Sequence, residues 1–283
     1  MRENLREEIC DFIKDACESA GKELQYGFPE RRLMEITSPT ELKIRFHELE
    51  DFERSNPRVI QSTADQFEPT DYIHIWRDQW ERSRKKVQSK LRSSLGITER
   101  IHGRETKVEK IDNATLLSFL KENHLHVPIR AKHKYGLFKN AELVAVMSFS
   151  KPREILREGV NYKSFELMRY CSKLNQTVVG GFSKLLQYFI AEHSPDDVMT
   201  YVDADWSNGR HLSAFGFNYE SYKDPIEFWI NNETLHRDYP HVLLKNLGLE
   251  KEIDYSQKSE FLKEHKLISV LNSGSYKYVK RLK

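Results

Sequence analysis

The 283-residue sequence predicts a mixed α/β (α+β) fold, in which a mostly antiparallel central sheet is flanked by helices. From about residue 105 onward, short apolar or alternating segments typical of strands surround segments whose apolar residues recur at helical spacing. The first hundred residues instead contain two amphipathic helices and few strand signals, which indicates a smaller, α-rich N-terminal domain. We therefore expect two domains, 1–98 and 99–283, with the boundary near Gly96.

Composition excludes several classes of protein. A hydrophobic fraction of 39% suffices for a core, and a net charge of +2 gives no overall case for nucleic acid or membrane binding. No apolar run is long enough to span a bilayer, and the first residues are too charged for a signal peptide. Three scattered cysteines fit a reducing cytoplasm better than a disulfide framework or a zinc site. We expect a cytoplasmic protein with no metal and no membrane partner.

The N-terminal elements follow from periodicity and punctuation. Residues 4–20 have apolar side chains at helical spacing, and Gly21 ends that helix. The next stretch contains four prolines and is expected to be irregular, with residues 42–46 forming a strand or part of a helix. Residues 72–76 alternate and predict a strand. A basic helix follows from about Asp78 to Leu95.

The second domain has clearer signals. Asp112 is placed to cap a helix that follows a short strand, and Lys139-Asn-Ala is typical of a hairpin turn. The helix from Gly181 has apolar residues at i, i+3, i+4, i+7 and i+8. The expected strands are 107–111, 135–138, 142–149, 164–171, 198–202, 226–230 and 276–279, with a short helix at 207–215.

A glycine pair precedes the helix that begins at Gly181. The helix starts where a strand has just ended, so its first backbone N–H groups face whatever lies beyond that strand. The helix dipole favours an anion there, which predicts a phosphate-bearing cofactor. The expected cofactor-binding residues are Val179, Gly180, Gly181, Phe182, Ser183 and Lys184.

The order of elements over residues 105–283 resembles that of GNAT acyltransferases. In that family, the helix after the fourth strand cradles the pyrophosphate of an acyl-CoA, and its turn usually reads Gln/Arg-x-x-Gly-x-Gly/Ala. Gln176-Thr-Val-Val-Gly-Gly181 has Val179 at the first glycine position and Gly181 at the last. The resemblance implies a transferase that moves an acyl group from acyl-CoA to an amine.

The segments Glu166-Leu-Met-Arg-Tyr-Cys171, Gly180-Gly-Phe-Ser-Lys-Leu-Leu186, Tyr201-Val-Asp-Ala-Asp-Trp-Ser207 and Gly216-Phe217 narrow the resemblance further. They are similar to the C-terminal domain of certain phage and mobile-element proteins, some labelled homing endonucleases, and to phage Mom DNA-modification proteins. Matching that pattern residue by residue selects Asn123, His124, Arg169, Ser183 and Asp203. The Mom-type tyrosine is missing, because residues 210–213 contain none. The resemblance implies an acceptor that is a nucleobase or nucleic acid.

Each selected residue has a functional and a structural interpretation. Asp203 would be the general base of catalysis or would cap a turn, with Asp205 as its substitute. Arg169 would bind phosphate or orient a substrate, or would form an ion pair with Asp203. Ser183 would hydrogen-bond a phosphate or cap its helix. Asn123, His124 and Trp206 would line the acceptor pocket, although Trp206 also suits a core, and no acidic or cysteine set joins His124 and His126 in a metal site.

Two alternative functions come from the N-terminal half. Between Arg77 and Lys110 there are eleven Lys or Arg and five Asp or Glu, so Arg82, Lys85, Lys86 and Arg92 are candidates for DNA or RNA binding. A solvated helix face explains the same residues. Glu41-Leu-Lys43 resembles the Glu-x-Lys of a metal-dependent nuclease, or of a degenerate remnant that serves for docking. The oligomeric state does not follow from the sequence.

Overall fold

The computed structural model describes residues 4–50, 72–157, 160–249 and 258–283, with side chains except at 155–161. The chain divides into two compact units. The first comprises Met1–Arg84, Asp203–Asn208 and Lys223–Ser275, and the second comprises Lys85–Val202, Gly209–Tyr222 and Tyr276–Lys283. Each unit is built from three separate stretches of chain. The domain boundary near Gly96 stays a prediction.

The first unit begins with helix α1 and a four-stranded sheet. Asn4 caps α1 through the N–H of Arg6, and α1 buries one apolar stripe that includes Ile9 and Ile13. The sheet has the order β1-β2-β3-β4, antiparallel except for the parallel pair β3–β4. The bounds are α1 Leu5–Ser19, β1 Gln25–Glu30, β2 Leu33–Ser38, β3 Leu42–His47, β4 Tyr72–Trp76 and α2 Arg77–Ser94, the last of which has non-helical angles at Ser83.

Strands β1 and β2 occupy a stretch that was expected to be irregular. Every residue of β1 is exposed, so no buried/exposed alternation marks it in the sequence. Its pairing with β2, with Tyr26 opposite Ile36, makes it a strand. Backbone pairing with the next strand in the sequence, rather than an apolar pattern of its own side chains, therefore makes residues 25–30 a strand.

The remainder of the first unit is a small three-stranded sheet with two helices. Its order is β15-β14-β16, and Ile230, Leu235, Ile268 and Val270 form a buried cluster with Trp76 of β4. The bounds are β14 Glu227–Asn231, β15 Arg237–Asp238, α5 Pro240–Asn246, α6 Lys258–Glu264 and β16 Leu267–Leu271. The predicted strand at 226–230 is confirmed by β14.

The second unit contains the predicted mostly antiparallel sheet. Its main path is β13-β17-β12-β10-β8-β7-β6, with β9 paired to β10, while β11 and β5 pair separately. The bounds are β5 Glu99–His102, β6 Lys107–Lys110, α3 Asn113–Asn123, β7 His133–Lys139, β8 Glu142–Phe149, β9 Arg153–Arg157, β10 Val160–Ser172, β11 Gln176–Val179, α4 Gly181–His193, β12 Asp197–Asp203, β13 Asn218–Lys223 and β17 Ser275–Arg281. Short 3₁₀ turns span Gly103–Glu105 and Arg210–Phe215. The predicted strands 107–111, 135–138, 142–149, 164–171, 198–202 and 276–279 and the helix from Gly181 occur in the predicted order. Strands β5, β9, β11 and β13 were not predicted, because they are short or lack an apolar pattern, and the strand predicted at 226–230 lies in the small sheet of the first unit.

Helices α3 and α4 cover this sheet with apolar side chains. Asp112 caps α3 by accepting the N–H of Thr115 at 2.7 Å, as predicted. Val146 and Cys171 of the sheet pack against α3. Phe149 stacks on Phe189 of α4, with ring centroids 3.6 Å apart. None of the helices within the described residues is both long enough and apolar enough to cross a bilayer.

An ion-pair network joins α1 to the start of α2 inside the first unit. The Arg77 side chain is only 4% exposed, and its guanidinium donates to Glu8 and to Glu48, the latter at 2.9 Å. Burial acts to raise the pKa of Glu8, but hydrogen bonds from Arg77 and Trp80 outweigh it and the pKa is lowered. Glu48 also accepts the N–H of Leu5 at the start of α1. The network therefore fixes where α1 begins.

Arg77→Met should destabilise the protein by about 3–5 kcal/mol, because two partly buried carboxylates lose their partner. Arg84 also contacts Glu8, but its side chain is 45% exposed. Arg84→Met should therefore cost no more than about 1 kcal/mol, and it is the matched control. Urea unfolding of both variants measures the difference, and equal losses would contradict the importance of burial.

A histidine pair lies beside the aromatic cluster of α4. The rings of His133 and His193 are 4.1 Å apart, and the Tyr135 hydroxyl is 2.8 Å from Nε2 of His193. Burial, followed by His193, lowers the pKa of His133 to about 4. Burial also lowers the pKa of His193, although Glu192 opposes that effect. The folded unit therefore favours the neutral rings.

Stability should fall as the pH drops from about 6.5 to about 4, because the unfolded chain takes up a proton on His133 before the folded chain does. His133→Phe should weaken that pH dependence while keeping the contacts with Phe165 and Phe189. Thermal unfolding at several pH values measures the pH dependence of stability in the unaltered protein and in His133→Phe. The same change at exposed His241 is the control, and an unchanged slope in His133→Phe would refute the assignment.

Candidate functional site

Strand β10 is the element around which the candidate site is arranged. A bulge separates Leu167, which pairs with Phe149, from Arg169, which pairs with Ser148. Met168 is the extra residue, so Leu167 and Arg169 point to opposite faces of the sheet instead of sharing one. Arg169 therefore lies on the face that α3 covers, together with Ser148.

The parallel pairing of β10 and β12 in the second unit is short. Within the described residues, backbone pairing between the two strands covers only Ser164–Glu166 and Asp197–Met199. The Thr200 hydroxyl then donates to the Leu167 carbonyl at 3.0 Å, in place of a ladder bond. Beyond that point β10 continues along β8. Open α/β sheets bind their ligands at such carboxyl ends of neighbouring strands.

The first turn of α4 lies beside the end of β10. The Phe182 ring contacts Tyr170 of β10, with centroids 5.2 Å apart, and also contacts Phe215 and Phe217. Gly180 adopts a left-handed φ of 75°, and no side chain among the described residues caps the helix. Only the fourth N–H, that of Lys184, reaches a backbone partner, the Gly180 carbonyl. The amides of Gly181, Phe182 and Ser183 are thus the groups predicted to meet a phosphate.

The two glycines of this turn serve different physical purposes. Gly180 supplies a positive φ that other residues adopt only under strain. Gly181 allows close packing, because a Cβ there would lie 2.8 Å from the Val178 side chain and 3.0 Å from Leu137. Both therefore have a structural reason that is independent of a ligand.

A third glycine, which the sequence analysis missed, faces the same turn. A Cβ built on Gly103 would lie 2.9 Å from the Val179 oxygen and 3.4 Å from the Gly181 nitrogen. The missing side chain therefore lets the backbone at Gly103 pack closely against the turn that precedes α4. The Lys184 ammonium donates to the carbonyls of Gly103, at 2.9 Å, and Thr106. Lys184 therefore anchors the 3₁₀ turn, and its predicted contact with phosphate stays a prediction.

The remaining cofactor-loop and acceptor residues have clear positions. Val179 ends β11 opposite His102 and is partly exposed, and Ser183 is partly buried in the first turn of α4. Asn123 holds the turn after β10, since its oxygen accepts the N–H of Leu174 at 2.9 Å. Its amide also donates to the Phe119 carbonyl, so both ends of this side chain serve the fold.

The structure brings His124 and Arg169 into one electrostatic environment. Burial, followed by the positive influence of His126, Lys90 and Arg169, lowers the pKa of His124 to about 2. The N–H of His126 donates to Nδ1 of His124 at 3.1 Å, which leaves the ring proton on Nε2. His124 is therefore a neutral hydrogen-bond donor within a basic cluster.

Asp203, Asp205 and Trp206 belong to the first unit. Asp203 ends β12 and accepts the N–H of Asp205 on Oδ1 at 3.0 Å, which is the predicted turn-capping contact. Asp205 is fully enclosed and accepts from Trp76 Nε1 and the Ser273 N–H. Burial, then Asp203, raises the pKa of Asp205. Trp206 is buried, as the core interpretation expects.

A histidine pair in the first unit also escaped the sequence analysis. Nε2 of His47 and Nδ1 of His74 are 2.9 Å apart, and burial lowers the pKa of both rings. The signal in the sequence that could have found this pair is that each histidine lies in a strand, His47 in β3 and His74 in β4. Glu41 is exposed, and Lys43 pairs with Glu35 at 3.1 Å. No group of three or more His, Cys, Asp or Glu in the described part of the chain could hold a metal ion.

The four basic residues proposed for nucleic acid do not share one unit. Arg82 lies in the first unit and donates to the Thr234 carbonyl at 2.9 Å. Lys85, Lys86 and Arg92 lie in the second, where Lys85 is exposed and the other two are partly buried. A continuous basic surface along α2 is therefore still a prediction.

No protein-family model matches the chain, and no curated protein matches it. Solved structures with a similar fold include Arabidopsis thaliana Naa50 in complex with a bisubstrate analogue, CoA-Ac-MVNAL, at 12% identity over 63% of this chain and 99% of that one, with a TM-score of 0.36. A GNAT family acetyltransferase from Elizabethkingia anophelis with acetyl-CoA bound is 10% identical over 63% of this chain and 99% of that one, with a TM-score of 0.34.

Two longer proteins are matched over part of their length. The similar region spans 34% of Eis1 from Mycobacterium abscessus, at 12% identity over 44% of this chain, with a TM-score of 0.34. It spans 35% of a probable N-acyltransferase from Enterococcus faecalis V583, at 15% identity over 45% of this chain, with a TM-score of 0.33. Scores of this size carry no argument by themselves, so the α+β assignment rests on the sheet order of the chain.

Gly103→Ala should destabilise the protein by about 1–3 kcal/mol, because the new methyl group meets backbone atoms of β11 and α4 that cannot easily move. Gly27 has open space around a built Cβ and an ordinary φ, so Gly27→Ala is the matched control and should be nearly neutral. Denaturant unfolding measures both. A neutral Gly103→Ala would show that the close approach is not required.

Proposed function

We propose that the second unit is a GNAT-like N-acyltransferase domain that uses a phosphate-containing acyl donor, of the acyl-CoA kind, and an amine acceptor. The observation that carries the proposal is the first turn of α4, which no side chain among the described residues caps, next to strand β10, whose described pairing with β12 ends at Glu166. Free amides at a helix N-terminus bind phosphate, and ligands of open α/β sheets lie at the carboxyl ends of the strands. The mostly antiparallel sheet flanked by helices supports the same proposal.

The donor fits the residues present at this turn. The amides of Gly181, Phe182 and Ser183, in the first turn of α4, would hold its phosphates. An acyl-CoA supplies a thioester, whose acyl group passes to the amine while the thiol leaves. Lys184 donates to the carbonyls of Gly103 and Thr106, and its contact with the donor phosphate remains part of the proposal.

The proposal keeps the roles that the sequence predicted for Asp203, Arg169 and Ser183. Asp203, at the end of β12, is proposed as the base that accepts the proton of the amine. Arg169 and Ser183 are proposed to position substrate groups. The Val179 departure from the family turn is compatible with donor binding, because the helix begins at the two glycines that follow it.

Acetyl-CoA should raise the unfolding temperature of the protein. Saturation at a hundredfold excess over Kd corresponds to about 2.7 kcal/mol of added stability. Thermal unfolding with acetyl-CoA tests the donor, and the same excess of adenosine is the control without phosphate. No shift at millimolar acetyl-CoA would count decisively against the proposal.

Asp203→Asn should leave acetyl-CoA binding intact while lowering acyl transfer to an amine by roughly 10²–10⁴-fold. The asparagine keeps an oxygen for the Asp205 N–H, so the fold should persist. Asp224→Asn makes the same charge change at an exposed position and is the control. Thiol release with a panel of amines gives the rate. Full activity in Asp203→Asn would remove Asp203 from the mechanism.

A further inference from the structure

The first residue pair of the β10–β12 ladder is polar and buried. Ser164 of β10 pairs with Asp197 of β12, and the two residues are only 5% and 3% exposed. Paired residues of neighbouring strands share a face of the sheet, so the Ser164 hydroxyl and the Asp197 carboxylate occupy adjacent positions. Tyr162, two residues earlier in β10, stands on that face as well. Its hydroxyl donates to Oδ2 of Asp197 at 3.0 Å. Three oxygen-bearing side chains therefore meet where the two strands begin to pair.

The second oxygen of the Asp197 carboxylate lacks a partner. Oδ1 is buried and accepts no hydrogen bond from any residue that the structure describes, and no ion pair joins Asp197 to a basic side chain within those residues. Two basic side chains of neighbouring segments are engaged with other carboxylates. Arg153 of β9 pairs with Glu166 at 2.9 Å, and Lys283 pairs with Asp196. The charge of Asp197 is therefore not balanced by these two cations.

A buried carboxylate in this state points to a missing positive partner. Ionised carboxylates are seldom buried unless an ion pair or a metal ion compensates the charge. The Tyr162 phenol is a neutral donor, so its hydrogen bond satisfies one oxygen without balancing the charge. Buried polar atoms are nearly always satisfied, and Oδ1 of Asp197 is an exception that needs an explanation. The side chains that converge here present oxygen only, and oxygen ligands suit hard cations.

We infer that Asp197 and Ser164 bind a hard metal cation, of the Ca²⁺ or Na⁺ kind, between β10 and β12. Oδ1 of Asp197 and Oγ of Ser164 are the protein ligands, and water molecules complete the coordination. Tyr162 orients the carboxylate through its hydrogen bond to Oδ2. A single carboxylate gives weak binding, with a Kd on the order of 10⁻⁴–10⁻³ M. The inference does not rest on the proposed function.

A cation at this position strengthens the junction of β10 and β12. The described pairing of the two strands runs only from Ser164 to Glu166 and from Asp197 to Met199. Because each strand contributes one ligand, the bound ion cross-links them at the first pair of this short ladder. The site exists only when the two strands are paired, so binding stabilises the folded second unit over the unfolded chain.

The test compares Asp197→Asn with Glu109→Gln, which removes the same charge from an exposed residue of the same unit. Thermal unfolding of the full chain is measured with increasing CaCl₂, MgCl₂ or NaCl. Tetramethylammonium chloride keeps the ionic strength constant, so general screening by salt does not change. A second variant, Ser164→Ala, guards against misfolding, because it removes one ligand and leaves the carboxylate and its bond to Tyr162 in place.

At several times Kd, one of the metal cations should raise the unfolding temperature of the unaltered protein and of Glu109→Gln by roughly 2–4 °C. Asp197→Asn should show no shift, and Ser164→Ala should need a higher cation concentration for the same shift. Without added metal, Asp197→Asn should be at least as stable as the unaltered protein, because it removes an uncompensated charge. Equal shifts in Asp197→Asn and the unaltered protein would overturn the inference. So would the absence of a shift with every cation, which would assign Oδ1 of Asp197 to a water molecule.

Terbium luminescence then locates the bound ion. Tb³⁺ binds to oxygen sites of this kind, and a tyrosine beside it sensitises its emission when the protein is excited. The Tyr162 hydroxyl is 3.0 Å from Asp197, so Tyr162→Phe should reduce the sensitised emission. Asp197→Asn should reduce it as well, whereas Glu109→Gln should keep it, and added Ca²⁺ should compete with Tb³⁺ in the unaltered protein. Emission that persists in Asp197→Asn would place the ion elsewhere and overturn the inference.

Discussion

The extra residue in β10 is the constraint on which the arrangement of the second unit depends. Met168 reverses the side-chain alternation, so Leu167 remains with the aromatic core under α4 while Arg169 faces α3. After the bulge β10 follows β8, and its pairing with β12 is already over. One local irregularity thus coincides with both the end of the described β10–β12 pairing and the position of Arg169. Bulges commonly re-aim side chains in this way next to functional sites.

The two faces of the sheet differ in the side chains that they present. On the α4 side, Phe149 stacks on Phe189, and Tyr170 contacts Phe182 in the first turn of α4. On the α3 side, Ser148 lies opposite Arg169 in the β8–β10 ladder, and Val146 and Cys171 pack against α3.

Several residues that the sequence selected as site candidates form hydrogen bonds that hold turns of the fold. Lys184 holds a 3₁₀ turn, and Asn123 holds the turn after β10. Asp203 caps the turn that contains Asp205. The Lys184 ammonium is shared between the carbonyls of Gly103 and Thr106. Each of these contacts gives the residue a structural reason that is independent of a ligand.

Local pattern alone determined helices α1 to α4, the hairpin after β7, the Asp112 cap and the glycine turn, because periodicity, capping and φ preference act over a few residues. Only the tertiary structure decided that exposed residues 25–30 pair with β2, that Gly103 approaches α4, and that Ser148 lies opposite Arg169. These features depend on backbone pairing, on strand register and, for Gly103, on a contact between segments far apart in the chain. Side-chain spacing within one segment contains no information about strand register or about contacts with other segments.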